Sequence, residues 1–495
     1  MSAAPAARAD WRRNERRGSE GIGGEGGGGR APGEGRALIG GDCRPGGARD
    51  KPGRGGGGEI RAFAFASGGR RDYVGRMNID TEDLLQRFCR YVRIDTRSDP
   101  HTGLTPSTPG QWDLLRLLEA ELKALGAEDV ELTGHGYVLA TIPATTRRQG
   151  VPTLAWLAHV DTATELPGGA QPIVHRAYDG RPIVLPDDPT QVLTVETIPH
   201  LREAIGDDII TASGTTLLGA DDKAGVAAIV AATRHLLRHP EIPHGRIRVC
   251  FNPDEEIGHG LRTLPLERLG AEVGYTLDSE ARGEVDDETF SADAAVVEIR
   301  GVAAHPGWAK DVMVNALRLA ARFIAALPQA RSPERTADRE GFIHPNEIRG
   351  TSERATVRLI LRDFELEGLA ESRRLVEQAA AAVQAAEPGA RLEVTFHEQY
   401  RNMRYWLDRD PRPVEYALEA IRRTGLTPFR HRIRGGTDGS QLTARGLPTP
   451  NLFCGMHQVH SQREWVSLQD MGRAARMLIH LARIWEEQSP AQPGI

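Results

Sequence analysis

Three short apolar runs, each followed at once by acidic or imidazole side chains, constrain this chain more than any other feature. Residues 153–158 lead to His159 and Asp161, residues 246–251 to Asp254, Glu255 and Glu256, and residues 273–277 to Asp278. A fourth run, 451–454, precedes His457 and His460. Apolar runs this short, bounded by polar residues, read as buried strands. Between the first two, residues 224–239 place Val226, Ile229, Val230, Thr233, Leu236 and Leu237 at helical spacing and stop at Pro240, which predicts a crossover helix. With a further helix predicted over 81–93, strands and helices alternate as in an α/β sheet. Such sheets gather ligands beyond the carboxyl ends of their strands, where every one of these polar clusters falls.

The stretch from about 290 to 400 has another texture. Strands are predicted at 297–299, 355–362 and 392–396, and in the second of them Ala355, Val357, Leu359 and Leu361 alternate with Thr356, Arg358 and Arg362. That period of two marks a sheet covered on one face. Helices over 314–327 and 367–386, with a strand near 342–349, complete the order βαββαβ of a ferredoxin-like unit. The expected organisation is a tail over 1–76, a catalytic domain over 77–289 and 403–488, a lid domain over 290–402 that interrupts it, and a short tail over 489–495. An inserted unit of this kind can close over a site like a lid.

Composition narrows the class. The chain of 495 residues is 39% apolar and 26% charged, ordinary for a globular protein, and no apolar run approaches the ~18 residues of a membrane span. Cys43, Cys89, Cys250 and Cys454 are scattered without paired spacing, which suits a reducing compartment and leaves metal binding to His, Asp and Glu. Residues 1–76 hold 22 of the 55 glycines and carry 15 Lys and Arg against 9 Asp and Glu. This segment is expected to be disordered, and it lacks the apolar core of a secretory signal. Since the tail carries a surplus of six positive charges and the whole chain is at -6, the remainder stands at -12, a poor match for nucleic acid. Cytoplasmic location is expected.

Taken singly, each candidate is weak. A His-x-Asp such as His159 and Asp161 is common by chance, Asp254 to Glu256 reads as a solvated acidic turn, and His460 alone reads as a surface or core histidine. Asp221 and Asp222 could simply favour the start of the helix that follows them. Placed together at strand ends and a helix start, they form a mixed imidazole and carboxylate set. Such a set suits zinc, manganese or cobalt, with zinc the commonest outcome, and it contains ligands enough for a pair of ions sharing a carboxylate.

Several segments resemble the M20 metallopeptidases: 159–162 (HVDT), 214–225 (GTTLLGADDKAG), 252–258 (NPDEEIG), 275–278 (YTLD), 305–310 (HPGWAK), 313–317 (MVNAL) and 433–439 (IRGGTDG). The resemblance runs from about Met77 to residue 488 and implies a zinc-peptidase-like catalytic domain with a mixed sheet, interrupted by a smaller ferredoxin-like α+β lid. It further implies that Asp221 bridges two zinc ions, replaceable by cobalt or manganese, with His159 and Asp278 on one and Glu256 and His460 on the other. Glu255 would then be general base toward a water shared by the ions, and Asp161 would hold the second ring nitrogen of His159. His305 would stabilise the oxyanion from the lid, and Arg434 would grip the substrate carboxylate with its planar fork. Family spacing favours His460 over His457 as ligand.

An aspartate at 278 goes, in that family, with aminopeptidases and dipeptidases, and the long matches point to removal of the N-terminal residue from tripeptides. A dipeptidase or an N-acyl amidohydrolase of the same family is the alternative. The expected partners are short peptides, not nucleic acid or membrane, and a homodimer stays open. One departure stands out: where the family tends to run to glycine after the aspartate, this chain has Ser279, Glu280, Ala281 and Arg282. A chain begun at Met77 should fold and hydrolyse peptides like the full one; loss of either property on truncation would show that the tail is needed.

Overall fold

The computed structural model describes residues 77–490; the expectations for the tail over 1–76 and for the last five residues lie outside them. The body is built on an eight-stranded mixed sheet. Its strands lie in the order Glu128–Leu132, Val138–Ile142, Ile247–Asn252, Leu154–His159, Val273–Ser279, Asn451–Phe453, Glu284–Thr289 and Phe429–Ile433. The four central ones, from Ile247–Asn252 to Asn451–Phe453, are mutually parallel, so their carboxyl ends line one edge. Those four are the runs that end in acidic and imidazole clusters. The pairing of His159 with Asn252 sets the first histidine level with the start of the acidic turn.

Both faces of this sheet are covered, which is why its inner strands are buried without alternation. On one side lies the helix Ala220–Arg238, buried along nearly its whole length, beneath the helices Thr81–Tyr91 and Leu468–Gln488. On the other, Leu139, Leu157 and Cys250 meet Leu261, Leu264, Leu269 and Leu442. A small sheet of Ile173–His175, Ile209–Thr211, Trp465–Ser467 and Met456–His457 packs Trp465 into its own apolar cluster. It thereby fixes both ends of the loop that carries His460.

The second texture forms a second sheet. Strands Phe342–Gly350, Arg354–Asp363, Ser291–Arg300 and Arg391–Tyr400 lie in that order, all antiparallel. With helices Ala316–Ala326 and Leu366–Ala386 this is the ferredoxin-like βαββαβ arrangement. Val297, Ile299, Val357, Leu359 and Leu361 face Leu319, Phe323 and Val376 across its core, while Arg358 points to solvent. The first helix starts two residues later than its periodicity suggests. Its cap is Asn315, whose side chain accepts from the Leu317 and Arg318 amides at 3.0 and 3.3 Å.

At the far edge of the body sheet the parallel pair Glu284–Thr289 and Phe429–Ile433 is clasped by an imidazole. His431 Nδ1 lies 2.6 Å from Glu284 Oε1 and 2.8 Å from Asp286 Oδ1. Hydrogen bonds to Asp286 and Glu284 push its pKa up to about 10. The histidine is about half exposed (52%), so screening limits the clasp to about 1 kcal/mol. A histidine pKa raised on folding stabilises fully below the unfolded value, about 6.5, and that gain is lost as pH climbs through about 10. His431→Gln should therefore lower the Tm at pH 6, with the gap to wild type closing by pH 10; a gap independent of pH would show the clasp to be uncharged.

Candidate metal centre

Each polar group at the sheet edge is set by backbone that other side chains hold. His159 closes its strand, and its amide donates to Asp222 at 3.2 Å. Asp221 and Asp222 precede the regular part of the crossover helix; their ψ angles, 107° and 35°, are not helical. The buried Glu464 accepts from the Gly219 amide at 2.8 Å and the Asp221 amide at 3.0 Å. A carboxylate there satisfies amide donors that a helix start leaves free. The acidic turn is bent at Asp254, whose φ is +56°, a region that aspartate tolerates better than most residues. Its carboxylate accepts from Ser107 N at 2.8 Å, Ser107 Oγ at 2.6 Å and Gln111 Nε2 at 2.8 Å.

The resulting geometry centres on Asp221. Its Oδ1 is 3.0 Å from His159 Nε2, and its Oδ2 is 3.4 Å from His460 Nε2. Asp278 Oδ1 stands 3.6 Å from His159 Nε2 on the first side, and Glu256 Oε2 stands 3.0 Å from His460 Nε2 on the second. One aspartate thus faces two imidazoles, each with a further carboxylate. Asp161, fully buried, lies 3.3 Å from His159 Nδ1 and also accepts from the Glu255 and Glu256 amides at 3.0 and 3.2 Å. It therefore orients the ring and both glutamates together.

The electrostatics favour cations. Burial raises Glu255 and Asp222 well above the carboxylate range, with Asp278 among the neighbouring charges that add to it. Burial beside Asp221 lifts Glu256 to about 8 and Asp278 to about 6. Asp221 is held below its usual value against the pull of burial by hydrogen bonds from His159 and His460. Hydrogen bonds to Asp221 and Glu256 raise His460 to about 11. Two imidazoles cannot neutralise so many buried carboxylates, and Glu256 Oε1 is buried without a hydrogen-bond partner. His159, Asp221 and Glu256, and likewise His159, Asp222 and Asp278, bring donor atoms within 4.8 Å of one another. Oxygen and imidazole donors so arranged fit a pair of divalent ions.

His159, Asp161, Asp221, Glu255, Glu256, Asp278 and His460 are thus brought together from five segments of chain. His305 and Arg434 are not in contact with them. His305 is exposed on the lid, where its Nδ1 accepts from the Gly307 amide. Arg434 donates to the carbonyls of Asp338 and Glu340 at 2.8 and 3.0 Å and to Thr336 Oγ1 at 3.1 Å, stacked over Phe290. It ties the body to the lid. Sequence reasoning missed Glu464, Ser107, Gln111 and Asp438, whose carboxylate accepts from Asn252 Nδ2 at 2.6 Å. Asp438 lies in a segment already singled out; the other three carry no local signal.

The described residues include no helix long and apolar enough to cross a membrane. Comparison with known proteins adds the following. Residues 197–484 match the family model described as peptidase family M20/M25/M40. A protein of Geobacillus thermodenitrificans named Peptidase T is 42% identical over 409 residues, covering 82% of this chain and 99% of that one. The crystal structure of the aminopeptidase PepT from Bacillus cereus superimposes with a TM-score of 0.63 at 26% identity, over 82% of this chain and 99% of the other. A Bacillus subtilis protein described as a dinuclear metal-binding peptidase of family M20 shares the fold, with a TM-score of 0.55 at 15% identity over 82% and 98%. A family match over more than half of the chain, and a relative this similar along almost its whole length, lead to one conclusion: the chain belongs to the peptidase family M20/M25/M40.

Proposed function

We propose that this protein is a zinc-dependent aminopeptidase that removes the N-terminal residue from tripeptides. The observation that carries the reading is the division of Asp221, one oxygen toward His159 and the other toward His460. That arrangement is the one a carboxylate shared by two ions needs. His159 and Asp278 would hold one ion, Glu256 and His460 the other. When bound, the ions supply Lewis acidity toward the substrate carbonyl and make water more acidic. The names Peptidase T and aminopeptidase PepT of the relatives support a peptidase that acts at the N-terminal residue.

The chain's own residues do the rest. Glu255 is assigned to neither ion, and its amide is anchored to Asp161, so its carboxylate can take a proton from the attacking water and pass it to the leaving amine. Asp161 keeps the ring of His159 in place. We assign oxyanion stabilisation to His305 and the peptide carboxylate to Arg434. Both roles require the lid to move, because His305 faces solvent and Arg434 is engaged by the lid loop at 336–340. On this reading the lid comprises 290–402, between the catalytic segments 77–289 and 403–488. Cys89, Cys250 and Cys454 are free thiols, which suits the cytoplasm.

Replacing Glu255 with alanine should leave two metal equivalents bound while kcat falls by about 10²- to 10⁴-fold; near-normal turnover would mean that another group is the base. The function itself is tested with zinc-loaded protein on an unblocked tripeptide and on the same peptide N-acetylated. Cleavage confined to the unblocked peptide is expected. Hydrolysis of both, or of the acetylated one alone, would move the protein to the amidohydrolases.

A further inference from the structure

At the edge of the body sheet formed by Phe429–Ile433, three donor groups converge that the hydrolytic scheme does not use. Glu284 and Asp286 lie two residues apart on one strand, so both side chains leave by the same face. His431, on the outer strand, stands in register with Asp286 and turns to that face as well. Its Nδ1 is 2.6 Å from Glu284 Oε1 and 2.8 Å from Asp286 Oδ1. The three residues bring one donor atom each within 4.8 Å of one another, the one such grouping among the described residues that shares no member with the candidate metal centre.

Both carboxylates are held as ligands are held. Glu284 Oε2 accepts from the Ala281 amide at 2.7 Å, and Asp286 Oδ2 accepts from Ser279 Oγ, which leaves one oxygen of each directed at the imidazole. Outer hydrogen bonds that fix a ligand's remaining oxygen are a regular part of metal sites. Glu284 and Asp286 are buried, and among the described residues their ion pairs run to His431 alone. The guanidinium groups on either side of it are engaged elsewhere: Arg430 pairs with Asp287 at 3.0 Å and with Glu415 at 2.5 Å, and Arg432 lies 3.9 Å from Glu288. One imidazole carries at most one positive charge against these two anions, so the group stays one charge short. His431 is half exposed, which gives an ion a route in.

We propose that Glu284, Asp286 and His431 form a further cation site, for zinc or a similar divalent ion, separate from the pair of ions at Asp221. Two carboxylate oxygens and one imidazole nitrogen are a donor set that suits zinc, cobalt and manganese, whereas magnesium and calcium favour oxygen alone. Tetrahedral bonds of about 2.0–2.1 Å separate the donors by roughly 3.3 Å, so the ring has to draw back by about half an ångström. It stands on the outermost strand with its side chain half in solvent, where nothing packed prevents this. The proton on Nδ1 passes to solvent as the ion takes its place, and water fills the open side. The consequence is structural. Glu284–Thr289 runs directly toward the lid strand Ser291–Arg300, and Phe429–Ile433 runs directly into Arg434. An ion at this triad staples the strand that enters the lid to the strand that carries Arg434.

The test counts zinc. Full-length protein is equilibrated with zinc alone, loosely held ion is removed by gel filtration, and bound metal is measured in wild type, in His431→Gln and in Arg430→Gln, whose altered side chain leaves by the other face. Wild type and Arg430→Gln are expected to retain one equivalent more than His431→Gln, and to gain more in Tm on zinc loading. Equal counts in wild type and His431→Gln overturn the proposal. Loss of the same equivalent from Arg430→Gln also overturns it, by tracing the ion to the strand edge as a whole, and so does a loss of more than one equivalent from His431→Gln, by tying the triad to the pair at Asp221. Glu284→Gln takes the place of His431→Gln if that variant does not fold. Because the readout is a difference of one ion and not a rate, it stands apart from the aminopeptidase reading, and either can fail without the other.

Discussion

Carboxylates that repel one another have been brought to one edge of a buried sheet, and most of the local structure around Asp221 exists to hold them there. Asp161 restrains the backbone of Glu255 and Glu256 by two hydrogen bonds. Glu464 restrains that of Gly219 and Asp221. Ser107 and Gln111 hold Asp254 in a left-handed bend. Each restraint adds another anion or a bent backbone to a region already short of positive charge, so the arrangement favours cations in its midst. Folding and metal binding are coupled in such a site.

The sheet supplies what this accumulation of charge needs, namely rigid starting points close together. Four parallel strands end side by side, and the lateral spacing of about 4.8 Å between neighbours sets residues at successive strand ends one side-chain length apart. The crossover helix then delivers Asp221 from above, while the small sheet that contains Trp465 delivers His460. None of these side chains depends on a long unsupported loop. The arrangement can therefore be specific for a pair of ions at one separation.

Much of this was legible in the residues. Apolar runs ending in His159, in Asp254 to Glu256 and in Asp278 announce themselves because burial on both faces leaves few polar residues within a strand. The alternation in 355–362 revealed the half-covered lid sheet for the opposite reason. What was not legible acts through main-chain amides far away in sequence. Glu464 serves Gly219, and Ser107 serves Asp254; no local pattern encodes either partnership. Arg434 illustrates a different limit: its motif was visible, but whether its fork meets a substrate or the carbonyls of Asp338 and Glu340 depends on how the lid sits.

The lid enters along Ser291–Arg300 and leaves along Arg391–Tyr400, and these two strands are antiparallel partners, with Ala292 opposite Tyr400. Entry and exit therefore lie next to each other. A module joined to its host at a single paired junction can lengthen, shorten or reshape without disturbing the register of the sheet that carries the candidate metal centre. Selection can thus remodel the inserted unit while the edge that carries the acidic and imidazole groups stays as it is, so that one body is able to carry quite different covers.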